Sequence, residues 1–129
     1  MLMQRLTVLF ALASSGCAQG VHTGAMAPHQ LLGDPSQYDR SPVVVRGWLR
    51  IGPERRHLLE MEPVYPPPPG QACITVELDS EIRPEALRLN DSFVLVEGIF
   101  YADLANDRVF HGMCHDSGLK VSKLKQDRN

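Results

Sequence analysis

Two extended apolar runs, each broken by a glycine at the same offset, constrain this chain more than any other feature. Pro42 to Ile51 reads PVVVRGWLRI, and Ser92 to Tyr101 reads SFVLVEGIFY. Superposed, Val43, Val45, Gly47 and Leu49 fall on Val94, Val96, Gly98 and Phe100. β-Branched and aromatic residues at alternating positions suit a pleated, half-buried strand. A glycine inside such a run marks a sharp bend or the close approach of another backbone. Small closed barrels turn their corners this way, so the pair predicts a curved, closing sheet.

The rest of the chain supplies the remaining elements. Gly52-Pro53-Glu54-Arg55 is a turn cluster, after which His57 to Glu62 returns as a second strand. Ala72 to Leu78 alternates cleanly, with Cys73, Thr75 and Glu77 on one face and Ile74, Val76 and Leu78 on the other. Pro84 opens a short helix through Arg88, and Asn90-Asp91 ends it. The second glycine-broken run, 92 to 102, is strand four, and Gly118 to Leu124 is strand five. Arg108 to Met113 is either an additional strand or loop. The reading is mainly β: a small five- to six-stranded OB-like Greek-key barrel with one short helix between strands three and four. In that topology strands one and four pair antiparallel, which would set Arg46 beside Glu97 as a cross-strand charge pair.

Before the strands, Pro28 to Gly33 has a proline start and a glycine stop for one helical turn. Asp34-Pro35 then forces a turn, and Tyr38 is expected to pack on the domain. Pro63 to Gly70 holds four consecutive prolines, which cannot pair in a sheet and prefer an extended polyproline conformation. A stiff inter-strand loop is the simpler reading of that run than a ligand for an aromatic groove.

The 129 residues allow one modest core. Residues 1–17 have the layout of a secretory signal: Arg5, an apolar run from Leu6 to Ala13, then small residues. Residues 18–30 read as a tether, 31–125 as the barrel domain and 126–129 as a frayed tail. Three cysteines are an odd count for an exported chain. Cys17 closes the signal-like segment, which leaves Cys73 and Cys114 as a disulfide pair closing a loop of about 42 residues, worth roughly 4 kcal/mol on the chain-entropy model. Three unrelated buried thiols are the alternative.

Ser14-Ser15-Gly16-Cys17 resembles the lipobox of bacterial lipoproteins, in which the cysteine receives the lipid. Ser14 stands where that box usually has leucine, and cleavage after Ala18 is the alternative. Ala18 in second place resembles the outer-membrane-sorted class, which implies a lipid-anchored chain facing the periplasm; a soluble periplasmic chain is the other outcome. A further pattern runs from Leu31-Leu32-Gly33-Asp34-Pro35 through Tyr38-Asp39 to Val43-x-Val45-x-Gly47-Trp48-Leu49. It resembles one found in small bacterial envelope proteins with an OB-like barrel. Most of those have glycine after the Tyr-Asp step, where this chain has Arg40. The resemblance covers about residues 31 to 62 and implies a fold but no activity.

Candidate chemistry is sparse. His111-Gly112-Met113-Cys114-His115 lacks only the first cysteine of a CxxCH haem-attachment site, and His111, Cys114 and His115 are zinc-type ligands. A disulfide anchor flanked by solvated histidines accounts for the same residues, so neither metal nor cofactor is expected. None of the G-x-S-x-G, H-E-x-x-H or glycine-rich phosphate motifs is present, and no enzymatic activity is expected. A formal net charge of −2 offers no general basic field for a phosphate backbone. Basic residues do gather late, at Lys120, Lys123, Lys125 and Arg128. Ligands of OB barrels usually lie across strands two and three, which nominates Trp48 and Tyr65, with Lys120 and Lys123 on strand five. The expected role is a non-catalytic binding or assembly module whose partner is an envelope protein, glycan or lipid. A nucleic-acid-binding OB domain and a periplasmic metal- or haem-handling protein are the rivals.

Overall fold

The computed structural model describes residues 24–53, 55–64, 71–104, 114 and 116–128. Its strands are β1 (Pro42–Gly52), β2 (Arg55–Leu59), β3 (Cys73–Glu77), β4 (Ser92–Tyr101) and β5 (Gly118–Gln126). Among the described residues three short helices accompany them: α1 (Pro28–Gly33), α2 (Pro35–Tyr38) and α3 (Arg83–Arg88). The strands close into a barrel in the order β1-β2-β3-β5-β4. Every pairing is antiparallel except β3 with β5.

Alternation decides which side chains fill the barrel. Val43, Val45 and Leu49 of β1 point inward with Val94, Val96 and Phe100 of β4, and all six are buried. Leu58, Ile74, Val76, Leu119, Val121 and Leu124 complete the ring, while Leu31 of α1 and Ala86 of α3 add to the same core. Asn90 follows α3 and clamps β1: its Oδ1 accepts the Ile51 N–H at 2.8 Å and its Nδ2 donates to the Ile51 carbonyl at 3.1 Å.

β1 serves two partners. Residues Pro42 to Leu49 pair with β4, and Trp48 to Gly52 pair with β2. Gly47 lies at the changeover, facing inward, where a Cβ would meet Leu58 Cγ at 2.6 Å and the Leu59 carbonyl at 2.7 Å. Gly98 is its counterpart on β4, where a Cβ would run into the Lys120 carbonyl. The two glycines mark places where another backbone crosses too closely for a side chain.

Several sequence expectations need correction. The tether was expected to reach residue 30, but Met26 is already paired with β1. Its N–H donates to the Val44 carbonyl and its carbonyl accepts from Arg46 N–H, both at 2.8 Å. The Met26 side chain is buried and joins the core, because the first half of β1 would otherwise present an unpaired edge. Asp34-Pro35 starts α2 rather than a simple turn. β2 starts two residues earlier than expected and ends three earlier, at Leu59, because Met26 already pairs along the edge of β1 that Glu60 would need. Instead, the Glu60 N–H donates to the Ala72 carbonyl.

β1 and β4 do pair antiparallel, yet Arg46 sits opposite Leu95 and Glu97 opposite Val44. Arg46 pairs instead with Asp127, Nε to Oδ2 at 2.5 Å. The tail expected to fray is therefore held: Gln126 extends β5 opposite Val94, and the Asp127 N–H donates to the Phe93 carbonyl. The expected strand or loop at Arg108–Met113 and the proline run of 66–69 lie outside the described residues.

Arg40 adopts φ 61°, the left-handed region that favours glycine. A side chain there costs roughly 1–2 kcal/mol, and glycine's extra unfolded-state freedom returns roughly 0.5–1 kcal/mol of that. Arg40→Gly should therefore stabilise the fold by about 0.5–1 kcal/mol, read as a higher denaturation midpoint at unchanged slope. A lower midpoint would show that the arginine side chain contributes more than its backbone costs.

Candidate functional site

A strand's outward positions recur every second residue. On β3 these are Cys73, Thr75 and Glu77, yet Thr75 is only 6% exposed. The described residues of the β4–β5 connection gather beside this strand. Cys114 of that connection is bonded to Cys73, with Cα atoms 5.7 Å apart, a separation that suits a disulfide. Leu104 packs on Gly118, which pairs with Thr75. Ser117 Oγ donates to the Ala102 carbonyl, and the Leu104 N–H donates to Asp116. On the expected ligand face across strands two and three, the Thr75 position is therefore closed to solvent, while Cys73 and Glu77 are half-buried.

The outer face of β1, β4 and β5 is different. Its rungs follow from the register: Trp48 beside Phe93, Arg46 beside Leu95, and Val44 beside Glu97. On the other side of β4, Leu95 meets Lys125, Glu97 meets Lys123 and Ile99 meets Lys120. Successive rungs are about 6.8 Å apart. Trp48 and Phe93 contact edge to face, with ring centroids 5.1 Å apart and planes at 86°. At the far end Lys120 Nζ lies 5.1 Å from the Tyr101 ring centroid, within cation–π range.

A strict strand would place Lys120 and Lys123 on opposite faces, because they are three residues apart. A β-bulge prevents that. The register shifts between Glu97 and Gly98, leaving Ser122 as the extra residue, and its Oγ donates to the Glu97 carbonyl. Both lysines consequently face outward, while Val121 and Leu124 face in. The bulge lies opposite Gly98, the residue whose missing side chain admits the β5 backbone.

Two contiguous grooves run along this face. The first, about 160 Å³, is lined by Val44, Leu95, Glu97, Lys123, Leu124 and Lys125. The second, about 490 Å³, continues past Leu95 and Lys125 to Arg128, Arg88 and Glu85. Two of the nearby cations are neutralised locally, Arg46 by Asp127 and Arg88 by Glu85. The hydrogen bond from Arg88 holds the Glu85 carboxyl below its ordinary range. Both side chains are open to solvent, at 66% and 42% exposure, so this pair has little structural weight.

Of the residues nominated from sequence, the structure brings Trp48, Lys120 and Lys123 onto one face. Cys17, Tyr65, His111 and His115 lie outside the described residues. The Cys114 sulfur is bonded to Cys73 and in that state is not a thiolate ligand. Among the described residues no cluster of three His, Cys, Asp or Glu side chains is placed to hold a metal. Sequence reasoning missed Phe93 and Leu95. Their outward parity within SFVLVEGIFY was readable, but nothing in the sequence paired them with Trp48 and Lys125.

No family model and no curated protein matches the chain. Among solved structures it is similar to asparaginyl-tRNA synthetase from Pyrococcus horikoshii, crystallised with asparaginyl-adenylate, at 19% identity and a TM-score of 0.43. The match covers 70% of this chain but only 20% of the synthetase.

Proposed function

We propose that this chain is a non-catalytic binding module of the bacterial cell envelope, built on an OB-type barrel and held to a membrane through lipid on Cys17. The observation that carries the binding role is the outer face of β1, β4 and β5, where Trp48, Phe93 and three lysines occupy successive rungs. The OB assignment rests on three strands, a helix and two strands in sequence, with ring order β1-β2-β3-β5-β4. The compartment is supported by the signal-like run before Cys17 and by the Cys73–Cys114 bond, since disulfides persist in oxidising environments. Among the described residues no helix is long and apolar enough to cross a membrane. A lipid on the N-terminal cysteine would do the anchoring.

Intact-mass analysis of the protein from its host's membrane fraction tests this reading. The expected product begins at Cys17, carries an acyl mass and exposes two further thiols only after reduction. Full-length, unacylated protein with three free thiols in the cytosolic fraction would overturn it.

A further inference from the structure

We infer that the outer face of β1, β4 and β5 docks on anionic lipid headgroups, laying the barrel against the membrane that anchors it. The inference rests on the envelope reading above and adds an orientation and a ligand class.

Charge is the first argument. The chain as a whole carries −2, yet this face is positive. With Arg46 and Arg88 already in ion pairs, Lys123, Lys125 and Arg128 line its grooves against Glu97. Lys120 extends the row towards Tyr101, where Asp39, Arg40 and Asp103 border its far end. Basic clusters of this kind are drawn to anionic leaflets over a Debye length.

The second argument is the apolar surface between the cations. Val44, Leu95 and Ile99 are half-buried on the outward rungs, and the Phe93 ring is 38% exposed. Lysine stems can lie along such a surface while their ammonium groups reach phosphate. Aromatic rings suit the boundary between acyl chain and headgroup.

The third argument is the tether. Met26 pairs along the edge of β1 that faces away from β4, which places the first described residues at the border of this face. Cys17 precedes Met26 by nine residues, a reach of about 30 Å when extended. An anchor within that reach lets the basic face contact the bilayer. Docking there leaves β2, β3 and the disulfide-bound connection on the side away from the membrane.

The test uses the chain from Ala18 onward, which lacks the apolar leader and contains every core residue among those described. Binding to vesicles of phosphatidylcholine alone is compared with vesicles containing 30% phosphatidylglycerol, using co-sedimentation and the emission of Trp48, the chain's one tryptophan. Binding to the anionic vesicles alone is expected, falling as salt rises. Lys120→Gln, Lys123→Gln and Lys125→Gln together should lower the partition constant about a hundredfold. Arg55→Gln and Arg56→Gln together, a two-charge change on β2 away from this face, should leave it within about threefold. Phe93→Ser should weaken binding without altering its salt slope.

Equal losses in the lysine and arginine variants would overturn the assignment, as would no anionic preference at low salt. Binding to a single-stranded oligonucleotide or an anionic polysaccharide, but not to vesicles, would also overturn it and give the face to a linear polyanion. Lipidation is read separately by mass. Absent lipid with intact vesicle binding would remove the anchor but not the face, and the reverse result would remove only the face.

Discussion

Replacing Cys73 and Cys114 together by serine should lower the unfolding free energy by roughly 4 kcal/mol, the loop-closure entropy of a loop of about 42 residues. A domain of this size has about 5–15 kcal/mol in total, so the variant should unfold near physiological temperature or at low denaturant. The effect acts on the unfolded chain. In the folded state the base of the β4–β5 connection has other restraints, the Leu104–Asp116 and Ser117–Ala102 hydrogen bonds. The native barrel should therefore keep its far-ultraviolet spectrum while its urea midpoint drops, and reductant should shift the wild-type protein equally. A loss under about 1 kcal/mol would mean that the unfolded chain is not expanded enough for the cross-link to restrict it.

Gly98→Ala is expected to be the most damaging single-methyl change. The added Cβ would meet the Lys120 carbonyl and stand 3.1 Å from Val121 Cα. These are backbone atoms of a bulged strand, paired on one side with β4 and, at Lys120, with β3 on the other. They cannot rotate away as a side-chain tip could. Overpacking ordinarily costs about 1–3 kcal/mol, and this position should reach or exceed the upper figure. The bulge that sets Lys120 and Lys123 on one face should also be lost or moved, so anionic vesicle binding should fall in any protein that still folds. Gly33→Ala is the control: nothing lies within 4 Å of its added Cβ, and it should stabilise α1 by about 0.5–1 kcal/mol. Equal denaturation midpoints for the two variants would show that β5 yields at the bulge.

Much of the architecture was legible in the chain because it is written in local alternation. The inward set of β3, Ile74 and Val76, follows from period two alone, as do the inward positions of β1 and β4. The matched glycines announced close crossings before any partner strand was known. Other features were not legible, because they belong to no single segment. The Arg46–Asp127 pair joins residues 81 positions apart in sequence, and register between β1 and β4 decided that Arg46 would miss Glu97. The burial of Thr75 was equally hidden: Gly118 and Leu104 come to its backbone through chain closure rather than spacing.

By itself, then, the sequence determined which stretches become strands, which of their side chains enter the core and where a backbone must cross without a Cβ. Hydrophobic periodicity and the steric needs of glycine are properties of neighbours along the chain. The tertiary structure alone decided which outward residues share a face. That choice depends on register, where a slip of one residue turns every side chain to the opposite side. One extra residue, Ser122, brings Lys120 and Lys123 together on the outside of the barrel. The closing of five strands against a common core holds it there.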